Sequence, residues 1–264
     1  MTSLELIAYV FTGIVIAIAS TMAGIGGGAF MVPLFYFLGL GISNAIGTSK
    51  FVITFLSLTA TINYVRMKRV PVNLGIYFLV GMVPASYLGV YTLSLIDQNI
   101  VKIIISLFLL FYSTRLLVRL AYFRFLNRSS LDPLVNVNEI NIHWSRAIPI
   151  GLFSGFIAGL TGTGGGVINM PIFLGLLHIP IHTAVALSTF LIFPSSVAAT
   201  VRHVLNGDVV YEVGIPFTIG AVIGACIGPR LAGKMSRDML RLVIGIVLSY
   251  IGLRMLYTSI IDLL

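Results

Sequence analysis

Two glycine triplets embedded in apolar sequence carry the residues best suited to do chemistry. Ala23-Gly24-Ile25-Gly26-Gly27-Gly28, with Pro33 beyond it, is answered by Thr161-Gly162-Thr163-Gly164-Gly165-Gly166 with Pro171. Glycine has no side-chain barrier to positive φ and lets another group come close to the backbone. A helix that restarts after such a break exposes its first N–H groups, and the macrodipole places about half a positive charge there. An anion binds at such a place without any basic side chain.

A polar set accompanies the breaks. By repeat alignment Thr48 and Ser49 of one half are expected to face Ser188 and Thr189 of the other; Asn44, Asn63 and Asn169 add amides, and Thr161 and Thr163 add hydroxyls. Hydroxyl and amide donors suit an oxyanion, although any one of them alone also reads as bonding its own helix backbone. Lys50 stands in an apolar segment between Ser49 and Phe51 with no acid near it in sequence. An intramembrane charge is costly and by default functional; the competing reading is a side chain that snorkels to the interface from about the fifth residue of its helix. The substrate-binding set expected from sequence is Gly26, Gly27, Gly28, Thr48, Ser49, Lys50, Thr161, Thr163, Gly164, Gly165, Gly166, Asn169, Ser188 and Thr189.

Other features carry less. Arg202 and His203 precede Asn206-Gly207-Asp208 and read as a loop. His178 and His182 flank Pro180 as interface residues, without the cysteine or carboxylate company of a metal site. The pattern Gly24-x-Gly26-x-x-Ala29 approximates a dinucleotide fingerprint, but that needs a preceding strand in a soluble βαβ unit. Close helix packing through small residues is the plainer alternative for the triplets. All eight acids lie near segment ends or in loops. Proton-coupled carriers place a relay carboxylate at a segment centre, so the polar interior reads as neutral to positive and fit for an anion. No cofactor and no metal are implied.

The elements that must position these residues form two similar halves. The offset is 138 residues from Gly26 to Gly164 and from Pro33 to Pro171. It becomes 139 from Ala45-Ile46-Gly47-Thr48-Ser49-Lys50-Phe51 to Ala184-Val185-Ala186-Leu187-Ser188-Thr189-Phe190, and stays so for Val70 and Val209, Gly81 and Gly220, Gly89 and Gly228. Apolar residues make up 58% of the 264 positions and charged residues 9%, with a mean hydropathy of +1.06. That leaves too little polar surface for a globule in water, so lipid must solvate the chain. The net charge of +8 does not signal nucleic acid. Its residues cluster beside apolar segments (Arg66, Lys68, Arg69; Arg115, Arg119, Arg124, Arg128; Arg230, Lys234, Arg237, Arg241), as cytoplasmic loops facing anionic headgroups do. The lone Cys226 pairs with nothing in this chain. Residues 1–8 hold Glu5 and no basic residue, unlike a cleavable signal peptide.

The fold class is an all-α polytopic membrane protein of eight to ten transmembrane segments, with short helices after the glycine motifs. Ten segments are expected at 4–23, 27–41, 45–65, 73–95, 100–120, 146–162, 167–178, 183–201, 210–232 and 239–258. Residues 1–121 and 146–264 make two membrane repeats, joined by a cytoplasmic loop at 122–145. If all ten segments cross and the N-terminus lies outside, every strongly basic loop is cytoplasmic and the repeats are inverted. Eight spans with two re-entrant segments would put the loops at 66–69 and 230–241 on opposite sides.

The chain resembles the TauE/SafE family of sulfite and organosulfonate exporters from about residue 8 to 258, through Gly24-x-Gly26-Gly27-Gly28-x4-Pro33, Ala45-x-Gly47-Thr48-Ser49 and their second-half equivalents. It departs from internal symmetry at Leu187, opposite Thr48, and at Thr189, opposite Lys50. The resemblance implies a multi-pass transporter of the cell membrane that exports sulfite, thiosulfate or an organosulfonate. A carrier for another ion, an anion channel and a membrane-embedded enzyme are the competing classes; the last lacks a third partner for Ser188 and His203. Composition and motifs set no oligomeric state.

Overall fold

The computed structural model describes residues 3–125 and 142–232, with scattered positions between 242 and 257. Among the described residues the elements are α1 (Ser3–Ala23), α2 (Gly28–Phe37), α3 (Ile42–Arg66), α4 (Val72–Leu93), α5 (Gln98–Phe125), α6 (Trp144–Thr161), α7 (Gly166–Pro171) running on as a π turn (Ile172–Leu176), α8 (Ile181–Asn206) and α9 (Tyr211–Leu231), with no strand. Among the described residues, five helices are long and apolar enough to cross a membrane: α1, α3, α4, α8 and α9. Large apolar side chains such as Phe11, Val80, Leu88 and Ile219 face outward, as they do where lipid is the solvent.

The two short helices start where the glycines dictate. Gly24, Gly26 and Gly27 take φ of 69°, 87° and 81°; Gly162, Gly164 and Gly165 take 70°, 83° and 82°. The same left-handed series recurs at matched positions, and a side chain at any of them would be strained. The expected segments 27–41 and 167–178 are helical only over Gly28–Phe37 and Gly166–Leu176.

Small residues bring the long helices into backbone contact. Gly220, Gly224 and Gly228 of α9 pack on Val10, Ile14 and Thr21 of α1, while Gly151, Gly155 and Gly159 of α6 pack on Phe78, Met82 and Ser86 of α4. This four-residue spacing is the small-xxx-small seam of membrane helices. Gly13, Ala17 and Thr21 match Gly151, Gly155 and Gly159 at the 138-residue offset. The α1–α9 seam and the α6–α4 seam are thus the same contact made twice.

The contacts also set helix direction. In both seams residue numbers rise together, so α1 runs parallel to α9 and α4 parallel to α6. Thr48 and Phe51 of α3 meet Val210 and Gly214, making α3 parallel to α9. Gly75 and Ser86 of α4 meet Phe190 and Ser195, making α4 parallel to α8. By contrast α3 and α8 are antiparallel, because Thr54 Oγ1 lies 2.9 Å from Thr200 Oγ1 while Thr61 Oγ1 donates to the Thr189 carbonyl at 3.2 Å. Helices α1, α3 and α9 therefore point one way and α4, α6 and α8 the other. The chain returns from α1 to α3 through α2, and from α6 to α8 through α7.

Helices α3, α5 and α8 are longer than expected, α5 running from Gln98 to Phe125. α8 runs to Asn206, where Gly207 at φ 76° ends it by donating to Val204 while Asp208 donates to His203. Arg202 and His203 are therefore the last turn of a helix and not a loop. α3 begins at Ile42, which places Lys50 deeper than the sequence implied, and its side chain is wholly buried. Snorkelling to the interface is excluded. The loop at 122–145 and the tenth segment fall largely outside the described residues.

Candidate functional site

The two glycine breaks lie back to back between α3 and α8 and run in opposite directions. Gly28 abuts the Gly162 carbonyl, Gly26 lies against Gly164, and Gly166 abuts the Gly24 carbonyl. Ile53 and Ile192, themselves equivalent at the 139-residue offset, close over the Gly26–Gly164 crossing. This approach needs glycine: a Cβ on Gly26 would sit 2.9 Å from Ile192 Cδ1.

Both helix starts leave donors free. Phe30 and Met31 both donate to the Gly27 carbonyl, the first bonds of α2, whereas Gly26, Gly27, Gly28 and Ala29 find no acceptor for their N–H groups among the described residues. In the second half Ile168 and Asn169 donate to the Gly165 carbonyl, and the N–H groups from Thr163 to Val167 are likewise without acceptors. A backbone donor without a partner in an apolar interior costs about 1–3 kcal/mol, so two neighbouring sets of them mark a place suited to acceptor atoms.

The side chains expected at the site divide among three places. Thr161 and Thr163 pair through their hydroxyls at 2.9 Å within the second break, with Thr161 also donating to Ile157. Asn169 follows on α7, 1% exposed, and neither atom of its amide has a partner. Ser188 braces the first break by donating to the Gly24 carbonyl at 2.7 Å, while Thr189 bonds back to Val185. Ser188→Ala should cost about 1–3 kcal/mol, because it strands that carbonyl; a detergent melt indistinguishable from wild type would show that the brace is idle.

Thr48, Ser49 and Lys50 lie at the other end of the crossing, on α3 between Ile46, which packs on Gly162, and Ile53, which packs on Gly28 and Gly164. Because α3 and α8 are antiparallel, equivalent positions occupy opposite ends of their seam. Lys50 stands 11 residues before Thr61, the contact of Thr189, which is roughly 16 Å along the helix. Thr48 and Ser49 thus do not face Ser188 and Thr189 across one cavity. The Thr48 hydroxyl accepts from Val210 N–H at 3.0 Å and caps α9. Ser49 Oγ and Lys50 Nζ are buried without partners.

Two residues not chosen from sequence join Lys50. His203 is fully buried opposite it on α8, one turn beyond the Thr54–Thr200 pair, and close enough for the two charges to interact. The His203 Nδ1 lies 2.8 Å from Asp208 Oδ2, and its Nε2 has no partner. Arg202 turns away toward the rings of Tyr87 and Tyr91. A cleft of about 280 Å³ lined by Ser43, Val90, Leu93, Ser94, Asn206 and Asp208 opens at this end.

A model of the "Sulfite exporter TauE/SafE" family matches residues 9–255. The chain belongs to this family. Its relatives include the "Probable membrane transporter protein YunE" of Bacillus subtilis, 29% identical over 95% of this chain and 97% of that protein. A "Probable membrane transporter protein" of Methanocaldococcus jannaschii is 25% identical over 94% of each chain. The "Sulfite exporter TauE/SafE family protein 3" of Arabidopsis thaliana is 33% identical over 32% of this chain and 18% of its own length. No solved structure matches.

This TauE/SafE chain is a multi-pass membrane protein whose halves differ in ionisable side chains at the Lys50 end. Lys50, His203 and Asp208 have Thr189, Tyr64 and Arg69 as their equivalents at the 139-residue offset. Tyr64 uses its hydroxyl to hold the Thr21 carbonyl at 2.9 Å. The mismatch was visible in the alignment of the halves; that the three mismatched residues gather at one end was not, because it depends on the antiparallel α3–α8 packing.

Proposed function

We propose that this TauE/SafE transporter exports small sulfur-containing anions, such as sulfite, thiosulfate or an organosulfonate, by alternating access between two inverted repeats. The observation that carries it is the pair of glycine breaks meeting back to back, each presenting unpartnered N–H groups at a helix start. An acceptor-only oxyanion matches such donors, and broken helices at corresponding positions are where secondary transporters build their sites. The opposite directions of α3 and α8 support inversion. The family description and the Arabidopsis relative's name, both of which say sulfite exporter, support the substrate class.

Energetics favour export. A potential negative inside drives an anion outward by about 2.3 kcal/mol per charge at 100 mV, which is roughly 45-fold at equilibrium for a monoanion. No coupling ion is then required. The relatives' names speak for transport over catalysis, and the polar groups at the breaks are donors without a nucleophile and base in a row.

The test is counterflow in proteoliposomes. Labelled thiosulfate uptake should saturate and accelerate when unlabelled thiosulfate is trapped inside. Linear, untrapped flux would make the protein a channel, and strict dependence on a proton or sodium gradient would sink uncoupled export.

A further inference from the structure

We infer that Asn169 sets the choice of substrate at the glycine breaks, its amide selecting an anion that brings a hydrogen-bond donor of its own over one that only accepts. The inference rests on the anion reading above and narrows its substrate class to a sulfonate with a hydroxyl or amino group, or an oxyanion that keeps a proton.

The helix that carries Asn169 places it at the second break. Its N–H donates to the Gly165 carbonyl, so it stands one turn into α7, which continues through its π turn to Leu176. Helical side chains lean toward the N-terminus and cover the turn before their own Cα. Here that turn holds the unpartnered N–H groups of Gly165, Gly166 and Val167. The first half shows the same reach: Met31, equivalent to Asn169 at the 138-residue offset, has its Cε 3.4 Å from where a Cβ on Gly27 would stand.

The amide is the polar group left over there. Thr161 and Thr163 bond each other, Ser188 bonds the Gly24 carbonyl and Thr189 bonds Val185. Asn169, by contrast, is 1% exposed with Nδ2 and Oδ1 both unpartnered. An asparagine inside a helix ordinarily bonds nearby backbone, and buried polar groups are nearly always paired. An amide differs from the backbone N–H groups beside it because it is also an acceptor. An acceptor-only anion serves the N–H groups and Nδ2 but leaves the buried Oδ1 stranded. An anion with an O–H or N–H serves all of them. A site built to bond a substrate donor rejects the analogue without it far more strongly than an apolar pocket rejects a misfit. Met31 offers the first break no such amide, so the second break alone makes the selection.

The test titrates thermal shifts of the purified full chain in detergent with two matched pairs of monoanions, all at one pH on the acid side of neutrality. Isethionate and propanesulfonate differ by a hydroxyl in place of a methyl group. Methylphosphonate, which carries one P–OH at that pH, and methanesulfonate differ by a proton on the oxyanion. Wild type should favour the donor-bearing member of at least one pair by roughly tenfold or more. A preference in the first pair puts the donor on the carbon chain, and one in the second puts it on the oxyanion. Asn169→Met should bind the members of each pair alike and melt no lower than wild type without ligand, since Met31 fills the equivalent place. If it does not fold, Asn169→Ala carries the same comparison. Equal wild-type affinities within both pairs, or a preference that survives in the variant, overturn the role of Asn169 and leave the anion reading intact. A wild type that shifts with none of these anions, nor with thiosulfate or sulfite, overturns the anion reading itself and the selection with it.

Discussion

Alanine in place of Gly28 is expected to destabilise the protein by roughly 3 kcal/mol or more and to abolish transport. The sign is opposite to local preference. Gly28 is the first residue of α2, and alanine favours a helix over glycine by about 1 kcal/mol. Its methyl group, however, would fall on the Gly162 carbonyl oxygen and within 2.7 Å of Thr163 Cα. Both obstacles are backbone, so relief requires the two breaks to move apart, and with them the donors they present. Gly166→Ala should behave alike, since its methyl group would meet the Gly24 carbonyl. The control is Gly41→Ala, where the nearest atom is Asn44 Oδ1 at 3.9 Å and φ is −56°; it should be neutral or slightly stabilising. Detergent melts and counterflow measure both quantities. A Gly28→Ala protein that melts within about 1 kcal/mol of wild type would mean that the breaks are not held in contact.

Lys50→Met is expected to do the reverse, raising stability while removing function. A fully buried ammonium without a partner costs more than the 1–3 kcal/mol of a neutral unsatisfied group. Methionine fills a similar volume without that cost, so the anion-free protein should gain about 1–3 kcal/mol. Counterflow should fall more than tenfold at the same time. Stability and activity then part company, as they do where a strained or unsatisfied group is kept for function. A lower melting point in Lys50→Met would show that the ammonium already has a partner inside the protein and is structural.

Composition alone determined that this chain dissolves in lipid, since 9% charged residues cannot cover a globule of 264. The glycine triplets determined where two helices must stop and restart, because three matched positions in each half take a left-handed φ that side chains disfavour. The 138- and 139-residue offsets determined which residues are equivalent. Equivalence does not say which residues meet. An offset is a one-dimensional quantity, and the same repeat places mates side by side or at opposite ends according to whether the central helices run parallel or antiparallel. Here α3 and α8 are antiparallel, so Ser188 reaches back to brace Gly24, its counterpart Ser49 is left without a partner, and Thr48 is spent on capping α9. His203 and Asp208 came to Lys50 by the same packing, helped by a helix that continues to the left-handed Gly207. Turn residues locate the end of a helix only to within a turn, and one turn here separates an exposed loop from a buried histidine. Tertiary structure decided the polar constellation because burial and direction are properties of helices packed together, which spacing along one chain does not contain.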